Sequence, residues 1–102
     1  MQIRFNDRFL GEVASKGYTG KLPFPVEVAT KFRQRIIQIK NASHTQDLRN
    51  IKSLHFEKLK EKKYEGKYSI RINQAYRIIF SVDTENGNIE IICIEEISNH
   101  YS

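Results

Sequence analysis

From Tyr68 to Val82 the chain reads Y-S-I-R-I-N-Q-A-Y-R-I-I-F-S-V, and its side chains alternate. Tyr68, Ile70, Ile72, Tyr76, Ile78, Phe80 and Val82 occupy even positions, and Ser69, Arg71, Asn73, Arg77, Ile79 and Ser81 occupy odd ones. A period of two, with β-branched and aromatic residues in the apolar set, predicts strand. Gln74 and Ile79 break the pattern, and Gln74 falls where a turn is wanted. A hairpin pivoting on Gln74 sets Ile72 opposite Tyr76 and Arg71 opposite Arg77. Like charges directly opposite are destabilising, so two guanidiniums side by side point to an anionic ligand.

A third strand is predicted over 89–97, after the turn signal Asn86-Gly87. A two-residue turn there pairs Val82 with Ile91, Phe80 with Cys93, Ser81 with Ile92, Ile79 with Ile94 and Arg77 with Glu96. The middle of this strand is apolar on both faces, which predicts a central strand covered on both sides. Upstream, Gln2 to Phe5 reads as a short strand. Asn6 or Asp7 caps a short helix to about Ser15, with Phe9, Leu10 and Val13 inward. Lys16 to Gly20 is a loop. A longer helix begins near Pro25, a residue tolerated in the first turn, and runs to about Ala42. Val28, Phe32, Ile36 and Ile39 form its buried stripe. Lys31, Arg33, Arg35 and Lys40 face outward or flank that stripe as a solvated basic face, with an RNA rim or a partner surface as the alternatives. Thr45 starts a short helical turn, with Leu48 and Ile51 inward. Residues 57–67, E-K-L-K-E-K-K-Y-E-G-K, have no apolar period and read as a charged loop. The expected architecture is α+β: N-terminal helices packed on a small antiparallel sheet of three to four strands, in one domain spanning 1–102.

Charge adds a direction. The net charge is +5, and all 17 Lys and Arg lie at or before Arg77, whereas the last 20 residues hold 5 of the 12 acids. A basic body suits a polyanion such as nucleic acid, or an acidic protein; the plainer reading is a charge that keeps the protein soluble. No run approaches the length of about twenty apolar residues that a membrane span needs. The N-terminus carries no secretory apolar region. Cys93 is the one cysteine, so no internal disulfide forms, which suits a cytoplasmic protein.

Phosphate-loop, dinucleotide and nucleophile-elbow motifs are absent, and the three histidines and one cysteine do not make a metal site, so no cofactor or metal is expected. What remains is Arg71, Arg77, the lysines of 57–67 and His100. If the last strand continues extended, His100 shares parity with Ile92, Ile94 and Glu96, on the face of Arg77. Such a set suits RNA cleavage without metal. A base takes the ribose 2′-hydroxyl proton, an acid protonates the leaving oxygen, and cations stabilise the pentavalent phosphate. Each residue also has a duller role. Arg77 can pair with Glu96, Arg71 can be solvated, and His100 can be a tail residue. His55, between Leu54 and Phe56, reads as a packing or capping residue. On the residues alone, an anion-binding module ranks ahead of a nuclease.

The segments L-H-F-E-K-L-K at 54–60, S-I-R-I-N-Q-A-Y-R-I at 69–78 and the closing N-H-Y resemble the HigB branch of the RelE-like bacterial toxins. Length and element order agree over nearly the whole chain, and the S-I-R-I-N-x-x-Y-R segment is the specific part. The resemblance implies a toxin that cuts mRNA in the ribosomal A site, a cognate HigA-like helix-turn-helix antitoxin, and a concave site on a RelE-like sheet. By this match Lys60 orients or neutralises phosphate, Arg77 stabilises the transition state, Arg71 is the second strand arginine, and His100 is general acid or base. Lys58, Lys62, Lys63, Lys67 and Tyr101 are the expected RNA contacts. The chain departs from the pattern twice. Glu61 stands where many relatives have glycine after the motif lysine. Ser98-Asn99 precede His100 where many relatives end in Asp-Tyr-His, leaving Tyr101 or Glu96 to substitute. Related toxins of the ParE type share the fold and poison DNA gyrase, and a non-catalytic RNA or ribosome binder is the third reading.

Overall fold

The computed structural model describes residues 1–99. Its helices follow their local signals. Helix α1, Arg8–Ala14, is capped by Asp7, whose Oδ1 accepts from the Leu10 amide at 2.8 Å. Helix α2, Val26–Asn41, starts after Pro25 and buries Val28, Ala29, Phe32, Ile36 and Ile39 along one stripe. Helix α3, Thr45–Arg49, begins where Asp47 Oδ2 accepts from the Ser43 and His44 amides at 2.8 and 3.2 Å. Those two donors hold the Asp47 carboxyl below its ordinary pKa. None of these helices is long and apolar enough to cross a membrane.

The strands are β1 (Gln2–Phe5), β2 (Glu57–Lys58), β3 (Tyr68–Arg71), β4 (Tyr76–Glu85) and β5 (Ile89–Asn99). They form one five-stranded sheet in the order β1-β5-β4-β3-β2. The expectation of three to four antiparallel strands is therefore corrected on two points. β1 joins the sheet parallel to β5, with Ile3 beside Ile92. β2 adds two charged residues against β3, Glu57 opposite Ser69 and Lys58 opposite Tyr68. A two-residue, solvent-facing edge strand has no apolar alternation to betray it.

The β3–β4 hairpin has the expected register. Arg71 opposes Arg77, and the Ile72 amide donates to the Tyr76 carbonyl at 2.8 Å. Asn73 closes the turn, its Oδ1 accepting from the Ala75 and Tyr76 amides. The β4–β5 register differs from expectation. The loop holds three residues, with Glu85 opposite Ile89 and left-handed φ values of 54° at Asn86 and 82° at Gly87. Val82 therefore meets Ile92, Phe80 meets Ile94, and Ser81 meets Cys93. One residue of slip exchanges the two faces of a strand, and this register gathers Phe80, Ile92 and Ile94 into the core under the helices. A bulge at Glu95 then shifts the pairing again, so that Ile79 meets Glu96 and Arg77 meets Ser98. The expected cross-strand pair of Arg77 with Glu96 does not form; Glu96 lies two residues along β5, opposite Ile79.

The main core lies between α1, α2 and the sheet, and includes Leu10, Val13, Phe32, Ile36, Ile39, Ile78 and Phe80. Leu59, Ile79 and Ile91 are also buried but lie outside that cluster. Residues 59–67 fold across this second face. The Leu59 amide donates to the Lys67 carbonyl at 3.0 Å, Tyr64 Oη donates to Glu96 at 3.1 Å, and Lys67 pairs with Glu95.

Candidate anion-binding and catalytic site

The hairpin register fixes Arg71 and Arg77 as direct neighbours on β3 and β4. They line a small cleft together with His55, Glu57, Ser69 and Gln74, and with Asn73 and Tyr76 from the turn. Arg35 of α2 braces this corner from behind. Its Nε donates to the Arg71 carbonyl at 2.9 Å, its Nη2 reaches the Ile72 carbonyl at 3.4 Å, and its Nη1 donates to Gln38. Burial lowers the Arg35 pKa, but an arginine stays charged throughout. Arg33 likewise donates to the Val13 carbonyl and ties α2 to α1. These two helix residues are structural braces rather than members of a solvated basic face.

Arg77 is largely enclosed, with its side chain 14% exposed. Its Nη2 lies 3.7 Å from Glu61 Oε1. Its Nε is buried and finds no acceptor among the described residues. An unsatisfied buried donor costs roughly 1–3 kcal/mol, and more when charged. The like charge opposite adds to that cost. A phosphate oxyanion at the cleft would offset the facing charges, because phosphate can accept from a guanidinium fork.

His55 is the residue that sequence reasoning set aside. It follows a 3₁₀ turn at Lys52–Leu54 and takes left-handed angles, φ 47° and ψ 52°. Its neighbours hold it there. Leu54 is fully buried, and Phe56 packs against Tyr68 and Phe80 with ring centroids 5.5 and 5.7 Å away. Packing on both sides thus leaves the exposed imidazole at the cleft with the two arginines. A non-glycine residue in this region carries strain of order 1–3 kcal/mol, a cost that clusters at functional sites. The available signal was its place in L-H-F-E-K-L-K, one of the segments of family resemblance.

The remaining expected residues separate. Lys58, Lys60 and Lys62 line a shallow depression of the 58–66 loop, apart from the arginine cleft. Lys60 is exposed and adjoins Glu61, the residue that reaches Arg77. Lys63 Nζ lies 5.0 Å over the Tyr64 ring. Lys67 is committed to Glu95, and that hydrogen bond raises its pKa against the opposing effect of burial. Desolvation pushes Glu95 upward, but hydrogen bonds from Lys67 and Ser81 and the charge of Lys67 outweigh it and leave its pKa low. Lys67 is thus a tether of the loop. His100 and Tyr101 lie outside the described residues. Ser98, two positions before His100, opposes Arg77 on the same face.

Comparison with protein families matches residues 3–95 to the model of a RelE-like toxin of the type II toxin-antitoxin system HigB. No curated protein matches the chain.

Proposed function

Because this chain belongs to the HigB-like family of RelE-like toxins in type II toxin–antitoxin systems, we propose that it halts translation by cutting mRNA on the ribosome. The observation that carries this reading is the opposed pair Arg71 and Arg77 at an imidazole-lined cleft, the second with its Nε buried and unsatisfied. In the proposed reaction the scissile phosphate sits on the two guanidiniums. The 2′-hydroxyl oxygen attacks the adjacent phosphorus and its proton passes to a base. The bond to the 5′ oxygen breaks, and an acid protonates that oxygen. The products are a 2′,3′-cyclic phosphate and a 5′-hydroxyl. Arg77 stabilises the charge gathering on phosphorus, and Arg71 holds the second non-bridging oxygen. His55 and His100 supply the acid and base, imidazole being the side chain that titrates near neutral pH. Lys60, with Lys58, Lys62 and Lys63, lines the RNA path. The family implies a cognate antitoxin; a HigA-like helix-turn-helix protein is the proposed one. A ribosomal target places the toxin in the cytoplasm.

The test is 5′-end sequencing of cellular mRNA after brief induction, with Arg77→Met, His55→Ala and His100→Ala variants beside the parent. The parent is expected to produce new ends within translated codons. Arg77→Met is expected to lose about 10²–10³-fold of the cutting rate, as for removal of an oxyanion donor. It should stay folded, because the substitution removes a like charge and an unsatisfied donor. Intact mRNA with failing DNA supercoiling would favour gyrase poisoning, and intact mRNA on stalled ribosomes would favour a non-catalytic binder.

A further inference from the structure

Glu61 opens the 3₁₀ turn Lys62–Tyr64, in the loop that folds over the second face of the sheet. The loop is fastened further along by Tyr64 to Glu96 and by Lys67 to Glu95. Fastened so, it brings the Glu61 carboxylate to Arg77 at 3.7 Å. That separation is electrostatic contact and is too long for a good hydrogen bond. The carboxylate engages one terminal nitrogen of the guanidinium, and the buried Nε is left without an acceptor. The Glu61 side chain is 51% exposed, so it has room to swing away.

We infer that Glu61 is a built-in surrogate for phosphate: it occupies the outer edge of Arg77 at rest, weakens anion binding there, and is displaced when a phosphodiester enters. The inference rests on the phosphate role proposed for Arg77. The physical asymmetry is that a phosphate oxygen pair can engage a guanidinium in a fork, whereas Glu61 holds it loosely at one corner. The entering phosphate gains more from Arg77 than the carboxylate loses, and Lys60 and Lys62 flank the departing carboxylate in the chain. Glu61 thus acts as a brake that raises the anion concentration needed to occupy Arg77.

The experiment titrates inorganic phosphate into the full-length protein and follows the Arg77 Nε–Hε resonance by NMR. Glu61→Gln is expected to reach half-saturation at about two- to fivefold lower phosphate than the parent, the effect of losing a partly exposed ion pair. Glu65→Gln removes the same charge from an exposed position in the same loop and is expected to change the midpoint by less than half as much. Equal midpoints for parent and Glu61→Gln, or weaker binding by Glu61→Gln, would overturn the inference, as would an equal gain in Glu65→Gln. No RNA is cut in this measurement. A protein that shows the gain yet leaves mRNA whole would refute the proposed nuclease activity and leave the brake standing.

Discussion

A single backbone conformation at His55 ties stability to the proposed site. Its left-handed angles are imposed by Leu54 and Phe56, which are anchored in the core on either side. Glycine adopts such angles without the Cβ penalty. His55→Gly is therefore expected to unfold at higher urea, with stability up by about 0.5–1 kcal/mol. The same change is expected to cut mRNA cleavage by about 10²-fold or more, the worth of a general acid or base. Urea denaturation alongside a ribosomal cleavage assay checks both. A variant that loses stability, or that cuts as fast as the parent, removes His55 from the site. The arginine pair was legible from alternation and one turn residue, because hairpin partners are near neighbours in sequence. His55 was not, because its meaning depends on what its two apolar neighbours pack against.

The charged segment 57–67 is held to the sheet by buried Leu59, by Tyr64 to Glu96 and by Lys67 to Glu95. Its pH dependence follows from the shifts. Glu95 has a lowered folded-state pKa, so its contribution is complete above the ordinary value of 4.5 and is lost as pH falls through the folded value. Lys67 has a raised one, so its contribution is complete below 10.5 and is lost as pH rises through the folded value. Denaturation midpoints across pH should show Glu95→Gln with a shallower acid decline than the parent, confined to the region below 4.5. Some decline should remain, because Asp47 is lowered too. Parallel curves for parent and variant would show that the tether does not hold the loop. The sequence reads this segment as loop because lysine and glutamate have no period there. Its two-residue strand and its anchorage exist only through β3 and the bulge of β5.

At the scale of the whole molecule, nine of the 17 basic residues fall into two groups. Arg33, Arg35 and Lys67 are engaged with backbone carbonyls or with a carboxylate. Arg71 and Arg77 line the cleft, Lys58, Lys60 and Lys62 line the separate depression of the 58–66 loop, and Lys63 lies over the Tyr64 ring. For single-stranded RNA each neutralised phosphate lowers the slope of log K against log salt by about 0.7. With roughly four phosphates contacted, a slope near −3 is expected for an oligonucleotide carrying 2′-deoxy sugars, which cannot be cut. Lys60→Met should flatten the slope by about 0.7, and Lys67→Met should leave it unchanged. Fluorescence anisotropy over a salt series measures this. A slope that Lys67→Met flattens as much as Lys60→Met would return Lys67 to the RNA surface.

What the chain determined by itself was whatever depends on neighbours in sequence: the Asp7 cap, the buried stripe of α2, and the Asn73 turn that sets Arg71 against Arg77. These features arise from residues a few positions apart, where periodicity and turn chemistry act directly. Tertiary structure alone decided the rest. The parallel seat of β1, the slip and bulge of β5, the approach of Glu61 to Arg77 and the angles of His55 all involve partners far along the chain. Each depends on which side chains from distant parts of the chain pack or pair together, a competition in which no local stretch of sequence carries both sides.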